Sequence, residues 1–191
     1  MKRNEKIEKT AAAVAFAASA GYLLRFISHY TYYVIKIKYA ESFLYGLIPC
    51  ILIAFFGITL LLKNIRKPLL NGLAACVVTV FSLAVAAVGG GDEADSASII
   101  VFVMGVLFSV LYFLTITGKI KNPIPLRVMT TVCTAVYFIM VFVTCYVYIP
   151  SDDPVNSYYG VIGSVAGLAL FYLSAAICSY SMKMNIVSED A

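Results

Sequence analysis

The chain has 191 residues, of which 62% are hydrophobic and 13% charged, with a formal net charge of +4. A soluble domain is nearer half apolar and a quarter charged, and a soluble fold this small leaves too much surface in water to hide so much hydrocarbon. The composition therefore excludes a water-soluble domain. It leaves too little polar chain for a second domain, and it offers no basic run with interleaved aromatics for nucleic acid.

A membrane-crossing helix needs about 20 mostly apolar residues. Six such stretches are predicted: Ala11–Ser28, Phe43–Leu62, Pro68–Val88, Ala97–Thr117, Leu126–Ile149 and Tyr158–Met182. They are continuous rather than alternating, so the expected fold is all-α, a single polytopic bundle of six helices and not a barrel. The connections Lys63–Lys67, Gly89–Ser96, Gly118–Pro125 and Pro150–Ser157 are short, polar and rich in Gly or Pro. The first connection, His29–Ser42, is longer. Residues 1–10 and 183–191 are read as tails. A second reading of the first stretch is a secretory signal: basic residues, an Ala-rich core, then Ala18-Ser19-Ala20 as a small-residue cleavage site. Cleavage there leaves five spans and places the new N-terminus outside.

Sidedness follows from the short loops. With six spans, Lys2, Arg3, Lys6, Lys9, Lys63, Arg66, Lys67, Lys119, Lys121, Arg127 and Lys183 all fall on one side. That side is expected to be cytoplasmic, with both termini on it and the plasma membrane as the host bilayer. The opposite loops carry Asp92, Glu93, Asp95, Asp152 and Asp153; Arg25, Lys36 and Lys38 are the basic residues near that face. Ten of the 14 tyrosines, namely Tyr22, Tyr30, Tyr32, Tyr33, Tyr39, Tyr45, Tyr146, Tyr148, Tyr158 and Tyr159, also cluster at the outer ends. A ring in hydrocarbon with a hydroxyl in the headgroups explains them, and an aromatic-lined mouth is the functional variant.

The first span carries the one polar stripe. Tyr22, Arg25, Ser28, His29, Tyr32 and Lys36 recur at steps of three and four residues, which places them on one helical face. Arg25 falls about 20 Å from the inner end, in the outer third of the bilayer. With no Asp or Glu in any span, its charge must be met by headgroups, carbonyls, outer-loop acids or an anionic ligand. Snorkelling is the structural account. The functional account is an outward-facing site for a small anionic solute built from Tyr22, Arg25, His29, Tyr32 and Lys36.

Small residues mark close helix packing in lipid. Ala13, Ala17 and Gly21 lie on one face of the first span, Ser82, Ala86 and Gly90 on one face of the third, and Gly163 and Gly167 form a GxxxG in the sixth. Such faces serve contacts within the bundle, or dock a membrane partner subunit or a second copy. Pro49 is expected to loosen the second helix. Spans one, three and five start near residues 11, 68 and 125, 57 apart, and Pro68, Leu69, Cys76 and Phe81 recur as Pro125, Leu126, Cys133 and Phe138, as three repeated helical hairpins would give. The five cysteines, Cys50, Cys76, Cys133, Cys145 and Cys178, read as packing residues, with a Cys50–Cys145 disulfide as the alternative.

No catalytic, metal or cofactor motif is present, and the acidic loop at Asp92 lacks the spacing of a calcium loop. The expectation is a non-enzyme without cofactor or metal: a transport or permease-type subunit, or else a non-catalytic accessory, regulatory or protective subunit of a membrane complex. In size, span number, inner N-terminus and Ala-rich first helix the chain resembles the substrate-binding subunits of energy-coupling-factor vitamin transporters. The local feature behind the resemblance is the Ala13, Ala17 and Gly21 face. It implies docking of a coupling subunit on the first helix and closure of outer loops over a vitamin, and it transfers no binding residue.

Overall fold

The computed structural model describes residues 5–29, 44–62, 67–89, 96–148 and 155–182, with side chains described for 5–27, 46–62, 67–82, 102–146 and 162–182. Six helices follow one another: α1 (Glu5–His29), α2 (Leu44–Leu61), α3 (Lys67–Gly89), α4 (Ser96–Ile116), α5 (Ile124–Tyr148) and α6 (Val155–Ser181). Their ends fall within three residues of the predicted stretches, with one exception: α1 begins at Glu5, six residues ahead of its apolar run. Glu5 and Glu8 occupy its first turn, where carboxylates oppose the positive end of the helix dipole. Residues 5–10, read from the sequence as part of a tail, belong to the helix. Glu8 is buried in the helix and paired with Lys67 of α3 at 2.7 Å.

Neighbouring helices along the chain pack against each other, and α6 returns to α1, which closes the bundle into a ring. The tightest seams are α1–α6, α1–α2 and α5–α6, and α4 and α5 touch least. The starts of α1, α3 and α5 and the ends of α2, α4 and α6 lie at one end, here the base. The Glu8–Lys67 pair is there. So is a chain of buried hydrogen bonds joining three helices: Tyr112 Oη donates to Asn71 Oδ1 (2.7 Å), Asn71 Nδ2 donates to Thr59 Oγ1 (2.8 Å), and Thr59 donates to the Phe56 carbonyl. Arg127, at the start of α5, caps α6: its guanidinium donates to the Ser179 and Met182 carbonyls and lies 5.3 Å from the Tyr180 ring centroid. Among the described residues, Lys6, Lys9, Lys67, Lys119, Lys121 and Arg127 are all basal, and Arg25 is the one cation beyond.

The basal turn between α4 and α5 follows from local chemistry. Gly118 takes the left-handed conformation (φ 81°), so the Ile120 amide returns to the Leu114 carbonyl. Asn122 then caps the start of α5, accepting from the Ile124 amide at 3.0 Å, and Pro125 lies in the first helical turn, where a missing N–H costs nothing. Helix α2 runs through Pro49.

Above the base the ring is filled by aromatic side chains. Phe56, Phe108 and Phe171, all fully buried, meet edge to face, with Phe56–Phe171 and Phe108–Phe171 centroids 5.1 and 6.0 Å apart. The outer surface is the reverse of a soluble protein's. Leu24, Ile51, Val80, Val110, Val128, Ile139 and Phe142 are all exposed. Contiguous apolar surface on this scale marks contact with lipid. Glu5–Ile27, Ile124–Tyr146 and Ile162–Ser181 are each long and apolar enough to cross a membrane; the described apolar stretches of the others, Gly46–Leu61, Lys67–Ser82 and Phe102–Ile116, are shorter. The described residues form helices joined by turns, with no strand among them, and the three long apolar helices mark a membrane protein.

The 57-residue recurrence does not give equivalent positions. Leu126 is fully buried and Leu69 exposed, and Cys133 is buried where Cys76 is half-buried and donates to the Ser109 carbonyl. All five cysteines are free, and Cys50 receives Ser19 of α1, whose hydroxyl donates to its carbonyl at 2.9 Å.

Candidate functional site

Tyr22 and Arg25 sit one helical turn apart on α1, beyond the phenylalanine layer as seen from the base. Tyr22 is buried. Its ring lies against Gly167 of α6, so close that a Cβ built there would come within 2.7 Å of Cδ2. Glycine at 167 is what lets the tyrosine enter the bundle. Its hydroxyl faces Ser82 of α3.

Two tyrosines that the outer-end pattern did not include are buried nearer the base than Tyr22. Tyr137 of α5 and Tyr172 of α6 are both buried and stack with ring centroids 5.0 Å apart and planes 21° from parallel. Tyr172 has Thr79 of α3 as a polar neighbour, and Cys133, one turn before Tyr137 on α5, is buried. Tyr172 also packs edge to face on Phe108 (4.8 Å), so the stacked tyrosines adjoin the buried phenylalanines. Tyr22, Thr79, Ser82, Cys133, Tyr137 and Tyr172 therefore converge from α1, α3, α5 and α6 on the ring interior. A phenylalanine at each tyrosine position would fill nearly the same volume without a hydroxyl to satisfy. The signal in the sequence was the remainder: of the four tyrosines away from the outer ends, Tyr112, Tyr137 and Tyr172 are buried, and Tyr180 is exposed.

Arg25 stands one turn further from the base. Its Nη1 donates to Ser164 Oγ of α6 at 3.1 Å, and Ser164 is buried. Nε is buried and has no acceptor. Among the described residues Ser164 is its one hydrogen-bond partner, and no carboxylate pairs with it. The electrostatics are those of a cation in a low-dielectric wall, its charge offset by a single hydroxyl dipole.

Of the remaining predicted site residues, His29 ends α1 with its side chain outside the described set, and Tyr32 and Lys36 lie outside the described residues, as do the acids at 92, 93, 95, 152 and 153. Of the predicted packing residues, Gly21, Gly163 and Gly167 meet in the α1–α6 seam, where a Cβ on Gly21 would fall 2.6 Å from the Gly163 carbonyl oxygen. Ala13 and Ala17 are exposed, and the alanines that α1 buries are Ala11, Ala12, Ala15 and Ala18. An open groove on the outer face of α3, lined by Cys76, Val77, Val80 and Phe81, is wholly apolar.

The described groups can bind and orient. Hydroxyls, a thiol and a guanidinium supply donors, and no described carboxylate or imidazole joins them to relay a proton. Among the described residues no three His, Cys, Asp or Glu side chains come together as metal ligands. No protein-family model, curated protein or solved structure matches the chain.

Proposed function

We propose that this chain is a six-span protein of the plasma membrane with both termini cytoplasmic, working as a transport or permease-type subunit that binds a small solute in a site open to the outer side. The observation that carries the reading is the polar content of the ring interior. Beside the buried phenylalanines it gathers tyrosine, serine and threonine hydroxyls from α1, α3, α5 and α6, with Arg25 further from the base. Interhelical hydrogen bonds in membranes contribute on average only about 0.6 kcal/mol. Stability alone gives weak reason to place so many hydroxyls together. The basal clustering of Lys and Arg supports the inner assignment of that end. Without an ATPase motif, energy comes from a partner subunit or an ion gradient.

Ser82, half-buried and facing Tyr22, provides the test. In an outward-open site, Ser82→Cys reacts with a small membrane-impermeant methanethiosulfonate added outside. If it reacts only after denaturation, the hydroxyl cluster is a dry hydrogen-bonded seam and the solute-binding reading falls. The second reading, a non-catalytic accessory subunit, would then hold. It is favoured by the exposed Ala13 and Ala17, which leave a small-residue strip on α1 free for a partner helix.

A further inference from the structure

We infer that the ligand met by Arg25 is a singly charged oxyanion, gripped by the guanidinium between α1 and α6. This rests on the solute-site reading above and gives that site its charge class. The Arg25 guanidinium has five N–H donors, one bonded to Ser164, and the buried Nε–H has no acceptor. A cation held this way wants a carboxylate-like acceptor, because charge-assisted bonds to a planar fork are the strong ones and a lone hydroxyl does not neutralise charge. The oxyanion supplies it.

The number of charges follows from what surrounds Arg25. Glu5 and Glu8 are the described acids, and both are basal; the other six described cations are basal as well. The half of the bundle beyond the phenylalanine layer therefore carries one formal charge among its described residues. A monoanion cancels it. A dianion leaves a net negative charge in a low-dielectric wall, and a cation adds a second positive one; both are costly there. The same chemistry is offered by a solute carboxylate and by the phosphodiester of a lipid headgroup.

The experiment uses the full chain in nanodiscs. In pure phosphatidylcholine, whose headgroup is neutral overall, melting is followed with acetate, lactate, benzoate and nicotinate, with phthalate as a dianion, and with benzamide and benzylammonium as neutral and cationic counterparts. The expected result is a rise of a few degrees with at least one monocarboxylate and none with its neutral, cationic or dianionic counterparts. The rise is lost in Arg25→Gln and reduced in Arg25→Lys, which keeps the charge without the fork. Should Arg25→Gln fail to insert, the charge series on the unaltered chain decides alone. A parallel arm replaces part of the lipid with phosphatidylglycerol and adds no solute. Stabilisation by that lipid alone, dependent on Arg25, keeps the oxyanion and removes the solute reading. Stabilisation by benzamide or benzylammonium keeps a solute site and overturns the oxyanion. If no monocarboxylate and no phosphatidylglycerol stabilises the protein through Arg25, the inference is wrong.

Discussion

Asn71 shows how few polar contacts hold the base together and how each can be weighed. Its amide donates to Thr59 and accepts from Tyr112, joining α2, α3 and α4 at a fully buried point. Thr59 keeps its own donor occupied on the Phe56 carbonyl whatever stands at 71. The loss in Asn71→Leu therefore falls mainly on the Tyr112 hydroxyl, which loses its bond to Asn71 at a fully buried point. Removing one partner of a buried hydrogen bond costs about 1–3 kcal/mol, more than the roughly 0.6 kcal/mol an interhelical bond contributes on average in a membrane. Asn71→Leu is thus expected to destabilise by about 1–2 kcal/mol, read by unfolding in detergent micelles. Tyr112→Phe removes the hydroxyl as well as the bond. In the Asn71→Leu background it should cost nothing further, or restore stability. Equal cost of Tyr112→Phe in both backgrounds would show that the two residues do not share a bond.

At the scale of elements, the α1–α6 seam separates what the sequence encodes from what it leaves open. The GxxxG at Gly163 and Gly167 is legible because glycine is costly in a helix interior and earns its place by close approach. The face of α1 that meets it is harder to read. Alanine occupies every side of the helix from Ala11 to Ala20, so neither polarity nor volume distinguishes Ala13 and Ala17, which are exposed, from Ala11, Ala15 and Ala18, which are buried. In water a polar face would set the phase; in lipid both faces are apolar. The phase is fixed further along, where Gly21 lets the Gly163 backbone approach and Tyr22 turns inward over Gly167. Gly163→Ala is accordingly expected to cost about 1–3 kcal/mol, since the built Cβ lies 2.6 Å from a backbone carbonyl that has no rotamer to change. Ala13→Leu, on an exposed position of the same helix, should change stability by no more than about 0.5 kcal/mol. Thermal unfolding of the two variants side by side checks the phase. A large loss from Ala13→Leu with none from Gly163→Ala would place the seam on the other face.

For the whole molecule, six helices with near-correct ends were readable because continuous apolar runs punctuated by Gly, Pro and charge are the strongest signal a membrane chain carries. Which groups share the ring interior was not, because Tyr22, Thr79, Ser82, Tyr137 and Tyr172 come from four helices whose juxtaposition no local spacing encodes. Arg25 stood out for a different reason: an unpaired charge in an apolar run is conspicuous without any knowledge of its neighbours. The proposed sidedness joins the two kinds of information. The ring places the turn between α4 and α5 at the same end as the Glu8–Lys67 pair, and that end holds six of the seven described Lys and Arg residues. A bilayer that retains positive charge on its cytoplasmic side therefore fixes the whole ring at once, because no helix can be inverted without breaking a seam to each neighbour. Asp92→Cys, beyond α3, should react with an impermeant maleimide in intact cells, and Lys119→Cys only after permeabilisation. The unsubstituted protein, whose five cysteines are all at least half-buried within helices, gives the background to subtract. Reaction of Lys119→Cys in intact cells, with Asp92→Cys protected, would turn the molecule over. The Arg25 site would then face the cytoplasm, where a solute leaves the cell rather than enters it.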